Sequence, residues 1–251
     1  MTEKHMTGNN TINLVEVFSS IQGEGLYVGC RQLFVRLAGC NLACSYCDTQ
    51  DSKIMPQQAK FEQFPGKRNF RAVNNPLNIE KLAEHLNCLL RLPHHSVSIT
   101  GGEPLCQPVA ISQLLPLLKA PIYLETNGTL TDNLALILPY IRIISMDIKL
   151  PSSTGKSYWQ EHSSFLEIAK QREVFVKIVI TSATMQSEME QAVDLIASID
   201  YSIPLVLQPV TPYNGYEAIS PDDMLFFQEK ALSKLADVRV IPQTHKFIGQ
   251  M

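Results

Sequence analysis

The chain has 251 residues, 45% of them hydrophobic, and a formal net charge of −3. We predict one globular domain over residues 1–251, because α/β barrels commonly run to about 200–250 residues without division. The slightly acidic balance argues against nucleic acid as a partner. The polar first ten residues, and the lack of any run near the roughly 20 apolar residues of a membrane helix, argue against a membrane partner.

The six cysteines indicate the redox compartment. Three of them cluster between residues 40 and 47, and the others are scattered. This usage is typical of a reduced, cytoplasmic protein rather than of a disulfide framework. We expect the scattered Cys30, Cys88 and Cys106 to be buried small apolar residues.

Two short strands precede the most unusual part of the sequence. Residues 12–18 alternate between apolar and polar side chains, and the loop at 19–25 holds paired glycines around a carboxylate. Such a loop can bring its backbone close to a ligand, although an ordinary surface turn has the same composition. The apolar, β-branched residues 33–37 predict a second strand, which leads directly into a cysteine loop.

The cysteine loop carries Cys40, Cys44 and Cys47 at C-x3-C-x2-C spacing. Thiolates are soft ligands that suit iron–sulfur clusters and zinc, and close spacing lets one loop surround one metal centre. Three ligands leave one iron of a 4Fe–4S cluster open for chemistry. A zinc knuckle is the alternative, but it needs a fourth ligand, and neither Cys30 nor a nearby histidine stands at a typical zinc spacing.

Residues 53–75 show little hydrophobic periodicity. Between residues 53 and 71 they carry five basic side chains and one acidic one, and Pro56, Pro65 and Gly66 interrupt them. Long irregular loops in compact domains are usually functional lids or disordered segments. We therefore expect an irregular, partly mobile insertion that buries no core and is dispensable for the chemistry.

From residue 78 onward, short β-branched runs alternate with helical patterns, and Asn78 is suited to cap the first helix. The predicted strands cover residues 97–100, 121–124, 141–146, 174–180, 205–210 and 238–241. The predicted helices cover residues 79–89, 109–118, 131–138, 158–172, 188–198 and 221–236. This alternation indicates βα units around a parallel sheet, which right-handed crossovers curl into a partial TIM-type βα barrel.

Unusual residues stand at the predicted C-terminal ends of successive strands, where barrels of this kind form their active sites. They are the cysteine loop, Gly101-Gly102-Glu103-Pro104, Glu125-Thr126-Asn127-Gly128, Asp147 with Lys149, and Gln208. Glycines after a strand expose backbone groups to a ligand, and a carboxylate there can hold an ammonium group. A plain strand-to-helix turn is the alternative for residues 101–104.

The cysteine spacing, the aromatic Tyr46 and the glycine motif at residues 101–104 resemble the radical S-adenosylmethionine (SAM) enzymes. The resemblance implies a 4Fe–4S cluster on Cys40, Cys44 and Cys47, with SAM bound to the open iron through its amino and carboxylate groups. It also implies an electron donor such as a flavodoxin or a ferredoxin. The implied SAM contacts are Tyr46, Cys47, Asp48, Gly102, Ser145, Asp147, Lys149 and Gln208.

Further motifs are similar to those of the 7-carboxy-7-deazaguanine synthases. They are Ser20-Ile21-Gln22-Gly23-Glu24-Gly25, Arg36, Cys47-Asp48-Thr49, Glu125-Thr126-Asn127-Gly128 and Pro242-Gln243-Thr244-His245-Lys246. This resemblance runs from about residue 12 to residue 249 and departs from the family at residues 53–75. It implies a lyase that converts 6-carboxy-5,6,7,8-tetrahydropterin into 7-carboxy-7-deazaguanine with loss of ammonia, in queuosine and deazapurine biosynthesis. We also expect a homodimer.

The same resemblance implies residues for the pterin and for a magnesium ion. Thr49 would ligate Mg²⁺, which often binds through few protein groups plus substrate and water. Arg36 would hold the substrate carboxylate bidentately, although a salt bridge within the barrel is the alternative. Gln22 and Glu24 would meet the aminopyrimidinone edge, and His245 is either a substrate contact or an ordinary surface histidine. The full substrate set is Ile21, Gln22, Gly23, Glu24, Arg36, Thr100, Thr126 and His245.

Two other functions stay open at this point. A glycyl-radical-enzyme activase has the same cysteine loop, but it binds a protein partner and gives no reason for residues 22–25 and 242–246. A non-catalytic iron–sulfur or zinc-binding protein would need four ligands and no glycine motif of the SAM type. Its cluster would not respond to SAM.

Overall fold

The computed structural model describes residues 10–212 and 217–250. The strands are β1 (Thr11–Ile12), β2 (Leu14–Ile21), β3 (Arg31–Leu37), β4 (Gln58–Glu62), β5 (Phe70–Asn74), β6 (Leu77–Asn78), β7 (Ser96–Gly101), β8 (Ile122–Thr126), β9 (Ile143–Asp147), β10 (Glu173–Ile180), β11 (Leu205–Pro209) and β12 (Val238–Val240).

The α-helices are α1 (Ile79–Leu89), α2 (Pro108–Leu114), α3 (Thr131–Ile137), α4 (Pro151–Thr154), α5 (Trp159–Ala169), α6 (Gln186–Asp200), α7 (Pro221–Leu232) and α8 (Thr244–Phe247). Short 3-10 helices lie at Gly25–Tyr27, Gln50–Lys53, Pro104–Cys106, Leu115–Leu117 and Leu138–Tyr140. Asn78 caps α1 as the sequence predicts, since its side chain accepts a hydrogen bond from the backbone N–H of Lys81.

Ten strands of the described residues form one sheet in the order β12-β11-β10-β9-β8-β7-β3-β2-β4-β5. Strands β3 and β7 to β12 are parallel, whereas β2 runs antiparallel to β3. Within these ranges β12 and β5 end the sheet without pairing with each other, so the barrel is incomplete. The predicted α/β partial barrel is therefore confirmed, and its extent over residues 1–251 stays a prediction.

The core lies between the sheet and the helices that cross outside it. Leu82, Leu86 and Leu89 point from α1 into this layer and are at most 2% exposed. The helical spacing of these leucines places them on one face, and each fully buried leucine contributes roughly 1.5–3 kcal/mol relative to exposure. The packed helices hold the strands in register, so that the loops at the C-terminal ends of the strands meet at one edge.

The segment at residues 53–75 is not irregular, contrary to the sequence prediction. Strand β4 pairs in parallel with β2, and β5 returns antiparallel to β4, so a hairpin extends the sheet. Ala59, Phe61 and Glu62 are buried. The expectation of a segment without core was wrong because β4, which lies between β2 and the edge strand β5, buries Ala59 and Phe61 on one face while Lys60 on its other face is exposed.

Two smaller findings complete the fold. Cys88 and Cys106 are exposed and Cys30 is half-buried, so the prediction that all three are buried was wrong. Their positions on the surface of helical segments and turns leave the thiols in contact with solvent. In the part of the chain that the structure describes, no helix is both long and apolar enough to cross a membrane.

Candidate active site

One cavity of about 590 Å³ opens at the C-terminal ends of the parallel strands, and every residue that the sequence predicts for the site lines it. These residues are Ile21, Gln22, Gly23, Glu24, Arg36, Cys40, Cys44, Tyr46, Cys47, Asp48, Thr49, Thr100, Gly102, Thr126, Ser145, Asp147, Lys149, Gln208 and His245. Phe18 and Lys177, which no sequence motif singles out, also line it, as do Glu125, Gln243 and Lys246, which lie within the predicted motifs but were given no role of their own. The roles assigned to individual residues stay predictions.

The cysteine loop is held by backbone hydrogen bonds at both of its ends. The N–H of Gly39 donates to the carbonyl of Ser52 at 2.7 Å, and the N–H of Ser45 donates to the carbonyl of Ser153 at 3.0 Å. Burial raises the pKa of the thiols of Cys40 and Cys44. A bound cation offsets that penalty, because a coordinated thiol loses its proton.

The three thiols supply the donors that a 4Fe–4S cluster with one open iron needs. Among the described residues, no three His, Cys, Asp or Glu side chains are close enough together to hold one metal ion. A cluster distributes its thiolates over different iron atoms, so its ligands need to be farther apart than those of one ion. Cys40, Cys44 and Cys47 nevertheless line one cavity, and they are the residues that would hold a 4Fe–4S cluster.

The glycine motif packs directly against the cysteine loop. A Cβ atom at Gly102 would lie 2.2 Å from the carbonyl oxygen of Gly39 and 2.9 Å from Cβ of Cys40. The N–H of Glu103 donates to the same carbonyl at 2.8 Å. Only glycine allows this approach, which brings a strip of backbone next to the first cysteine.

A buried charge pair forms the wall beyond the glycine motif. Lys149 Nζ lies 2.8 Å from Asp147 Oδ2, 3.4 Å from the Tyr46 hydroxyl and 5.3 Å from the centre of the Tyr46 ring. Burial opposes the charged form of Lys149, but Asp147, Tyr46 and Cys44 together outweigh burial and raise the pKa of this amine.

Two acceptors on this wall have no protein partner. Asp147 Oδ1 and Gln208 Oε1 are buried without a hydrogen bond from any residue in the described ranges. Unsatisfied buried acceptors cost about 1–3 kcal/mol each, and a ligand with ammonium or hydroxyl donors would satisfy them. This wall therefore fits a ligand such as SAM.

A second charged cluster surrounds Glu24. Its Oε2 accepts from Lys177 Nζ at 2.5 Å, and its Oε1 accepts from Gln243 Nε2 at 2.7 Å. Lys177 also reaches Asp147 at 3.3 Å, so one amine links the two halves of the cavity. Burial opposes ionisation of Glu24, but Lys177 outweighs it and lowers the pKa of this carboxyl to about 2. The signal missed in the sequence was a lysine within the apolar run of β10.

Glu125, near the end of β8, is a second carboxylate that lines the cavity, next to Gln22. Its Oε1 accepts from Gln22 Nε2 at 2.8 Å and from Ser98 Oγ at 3.2 Å. Its Oε2 accepts from Thr100 Oγ1 at 2.8 Å. Gln22 is thus oriented by Glu125, and its Nε2 also donates to Gln32 Oε1 at 3.0 Å while its Oε1 accepts from the backbone N–H of Glu24 at 3.0 Å.

The salt bridge weighed as an alternative for Arg36 is present, and its role toward the substrate stays a prediction. Its Nε forms an ion pair with Glu16 Oε1 at 2.9 Å, and its guanidinium carbon lies 5.8 Å from the centre of the Phe18 ring. Phe18 stacks on Phe34 with ring centres 5.0 Å apart. Arg36 still lines the cavity, and the ion pair uses only one edge of its guanidinium fork.

Thr49 and Thr126 line the cavity, and each lies close to another group of the site. Thr49 Oγ1 lies 3.8 Å from Cys47 Sγ, beside the cysteine loop. The hydroxyl of Thr126 donates to Glu103 Oε1 at 2.9 Å, so its predicted role toward the substrate competes with a structural bond.

The C-terminal segment covers one side of the cavity. Asp48 Oδ2 accepts from Gln243 Nε2 at 3.0 Å and from Lys246 Nζ at 3.3 Å. A Cβ atom at Gly23 would lie 2.1 Å from Nδ1 of His245, so the glycine admits that histidine. This segment connects the cysteine loop to the loop after β2.

Comparisons with known proteins agree with this geometry. A model of the radical SAM superfamily matches residues 35–199. A 7-carboxy-7-deazaguanine synthase of Geobacter sulfurreducens is 45% identical over 95% of this chain and 97% of the relative. One of Methanothermobacter thermautotrophicus is 35% identical over 94% and 96%.

A solved structure supports the fold. The crystal structure of QueE from Escherichia coli superposes with a TM-score of 0.62 over 95% of this chain and 100% of that chain, at 21% identity. At this identity the likeness concerns the fold alone, and the sequence matches carry the family assignment. The chain belongs to the radical SAM superfamily and, within it, to the family of 7-carboxy-7-deazaguanine synthases.

Proposed function

We propose that the chain converts 6-carboxy-5,6,7,8-tetrahydropterin into 7-carboxy-7-deazaguanine with loss of ammonia, a step in the biosynthesis of queuosine and other deazapurines. Enzymes of this superfamily carry a 4Fe–4S cluster and SAM, which together supply radical chemistry when bound. The observation that carries the proposal is the single cavity, in which the cysteine loop, the Asp147–Lys149 wall and the Glu24–Glu125 side face one another. Since product and ammonia together contain the atoms of the substrate, the conversion consumes no external oxidant.

The SAM side is assigned by its charges. The backbone at Gly102 and the open acceptors of Asp147 and Gln208 suit the amino group and the ribose hydroxyls of SAM. Lys149, held by Asp147 over Tyr46, supplies a positive charge near the carboxylate of the ligand. Ser145 and Asp48 are further contacts of this side.

The substrate side is assigned by complementary hydrogen bonding. Gln22, Glu24 and Glu125 offer oxygen acceptors to the aminopyrimidinone edge of the pterin. The free edge of Arg36 is suited to the substrate carboxylate, with Phe18 and Phe34 beside it. Ile21, Gly23, Thr100, Thr126 and His245 complete the set of substrate residues.

Thr49 is the candidate magnesium ligand. Its hydroxyl lies beside the cysteine loop, where a cation could also touch the substrate carboxylate. A lone hydroxyl suits Mg²⁺ because this ion keeps several waters and shares a substrate ligand. The electron donor of flavodoxin or ferredoxin type, the homodimer and the reducing cytoplasm stay predictions.

The test is turnover under anaerobic conditions after cluster reconstitution. With SAM, the carboxypterin and dithionite as the electron source, 7-carboxy-7-deazaguanine and ammonia should form in equal amounts, and omission of SAM should abolish both. A glycyl-radical-enzyme activase would cleave SAM and leave the pterin unchanged. A non-catalytic cluster protein would bind neither SAM nor the pterin. Either of these last two results would refute the proposal.

A further inference from the structure

Asn127 follows β8 and has a partner for every polar atom it carries. Its backbone N–H donates to Glu103 Oε2 at 2.7 Å, and its carbonyl lies 3.1 Å from His162 Nε2. Its side-chain Nδ2 donates to Asn41 Oδ1 at 2.9 Å, and its Oδ1 accepts from the hydroxyl of Thr129 at 2.6 Å. The residue is only 6% exposed, so these bonds are shielded from water.

The partner Asn41 lies within the cysteine loop, directly after Cys40. Its Nδ2 donates to Thr129 Oγ1 at 2.9 Å, so the two asparagines and the threonine form a closed ring of hydrogen bonds. The first turn of the cysteine loop is thus tied to the end of β8.

The other partners extend the network to the SAM side. Glu103 is fully buried, and its carboxylate also accepts from the backbone N–H of Leu105 at 3.0 Å. His162 is fully buried on α5, and its Nε2 lies 3.1 Å from the carbonyl oxygen of Asn127 and 3.5 Å from the backbone nitrogen of Lys149. Asn127 is therefore bonded to the cysteine loop, the glycine motif and a packed helix at once.

We propose that Asn127 is a positioning residue that fixes the cysteine loop against the SAM side of the cavity through Asn41. The contacts with Glu103 and His162 fix the backbone of Asn127 at the end of β8. The side-chain amide of Asn127 then holds the cysteine loop in place through its hydrogen bond to Asn41. The inference rests on the cluster and SAM subsites assigned above, and not on the identity of the pterin. The role is one of positioning, since Asn127 bonds the loop at Asn41 rather than at a thiol.

Without the hydrogen bond from Asn127 Nδ2, Asn41 Oδ1 loses its donor and the cysteine loop loses a link to the end of β8. A partly buried hydrogen bond between neutral groups is worth up to about one order of magnitude in an equilibrium constant. The Asn127→Ala and Asn41→Ala proteins should each release iron to a chelator roughly tenfold faster than wild type and bind SAM roughly tenfold more weakly. Because both changes break the same bond, the double variant should be little worse than either single variant.

The matched control is Asn133→Ala. Asn133 Nδ2 donates to the carbonyl of Leu105 at 2.8 Å, a bond of similar length in the adjoining helix, but it does not line the cavity. Iron release is followed by absorbance, and SAM affinity by the change in the electron paramagnetic resonance spectrum of the reduced cluster. Hydrogen exchange of residues 40–47 in protein without its cluster gives a readout independent of metal and activity.

We expect faster exchange at residues 40–47 in both variants and wild-type behaviour in Asn133→Ala. Asn41 is exposed, so its alanine variant keeps the test valid if Asn127→Ala fails to fold. Wild-type iron release and SAM affinity in Asn41→Ala would overturn the proposal, as would equal losses in Asn133→Ala or fully additive losses in the double variant. None of these readouts uses the carboxypterin, so failure here is distinct from failure of the proposed reaction.

Discussion

Arg36 and Thr49 stand where the cysteine loop meets the substrate side. If Arg36 holds the substrate carboxylate, its loss should cost about 2–5 kcal/mol of binding, partly through the unpaired partner left behind. The Arg36→Ala and Thr49→Ala proteins should keep their cluster and their SAM affinity while turnover of the carboxypterin falls sharply. The Thr49 variant should also lose its response to added magnesium.

Arg31 provides the matched control on the same strand. Its side chain donates to Ser19 Oγ and to the carbonyl of Pro65, outside the cavity. Arg31→Ala should therefore turn over the carboxypterin at the wild-type rate. Equal loss of SAM binding in the Arg36 and Thr49 variants would place both residues on the cofactor side and defeat their assignment.

His162 makes folding stability depend on pH. Burial lowers the pKa of this histidine from 6.5 to about 4, so the folded state favours the neutral ring. The resulting stabilisation is fully present above about pH 6.5 and is lost as pH falls toward 4, to a total of about 3 kcal/mol.

The measurement is the free energy of unfolding by denaturant from pH 7 to pH 4. In His162→Gln, the free energy of unfolding should fall less between pH 6.5 and pH 4 than it does in wild type. The difference between the two proteins isolates the histidine, because the contributions of the carboxylates cancel in it. His95→Gln, at an exposed site, should keep the wild-type slope. Parallel pH curves for wild type and His162→Gln would show that the ring is not held neutral.

At the scale of elements, the β4–β5 hairpin is part of the folded core. Phe61 is 2% exposed, stacks on His85 and packs with the cluster of core residues beneath α1. Its neighbour Lys60 points to the other face and is exposed. Phe61→Ala should cost about 3–5 kcal/mol of unfolding free energy, and Lys60→Ala should stay within about 0.5 kcal/mol of wild type.

Denaturant unfolding of the two variants decides between a structural hairpin and a dispensable insertion. The buried Glu62 also ties the hairpin to β2, since its carboxylate accepts from the backbone N–H of Ser19 at 2.8 Å. Removal of the hairpin should therefore expose β2 and lower stability rather than leave a folded, cluster-binding protein. A Phe61→Ala protein as stable as Lys60→Ala would restore the dispensable interpretation.

The elements differ in how well the sequence predicted them. Strand β10 and helix α1 follow from plain apolar runs and helical spacing, because burial of a continuous face leaves a strong pattern. The hairpin was missed although Ala59 and Phe61 alternate with polar residues, because the high density of charge and proline masked that short alternation. Edge strands bury one face only, so their pattern is weak.

At the scale of the whole molecule, the sequence motifs predicted which residues meet, but not how they pair. Glu24, Lys177 and Gln243 are joined by bonds that span 153 and 219 residues of sequence. No local pattern specifies such pairs, since the twist and order of the strands bring them together. The cavity residues without a motif of their own, Lys177 above all, were missed for this reason.

The barrel explains why the motifs were nevertheless predictive. Parallel strands deliver every βα loop to one edge, so residues at strand ends converge whatever their separation in sequence. The incomplete barrel leaves room at that edge for both SAM and a bicyclic substrate. The central claim is that the three cysteines of one loop, and no other cysteines, support the chemistry of this cavity.

Product formation by single cysteine variants tests that claim most directly. Anaerobically reconstituted Cys40→Ala, Cys44→Ala and Cys47→Ala proteins are compared with Cys30→Ala, Cys88→Ala and Cys106→Ala for 7-carboxy-7-deazaguanine formed from the carboxypterin and SAM. Cys106 is the most demanding control, because it lies in the 3-10 helix that begins at the end of the glycine motif. We predict no detectable product from the first three proteins and sustained turnover by the other three. Equal loss of product in any of the control proteins would contradict the account.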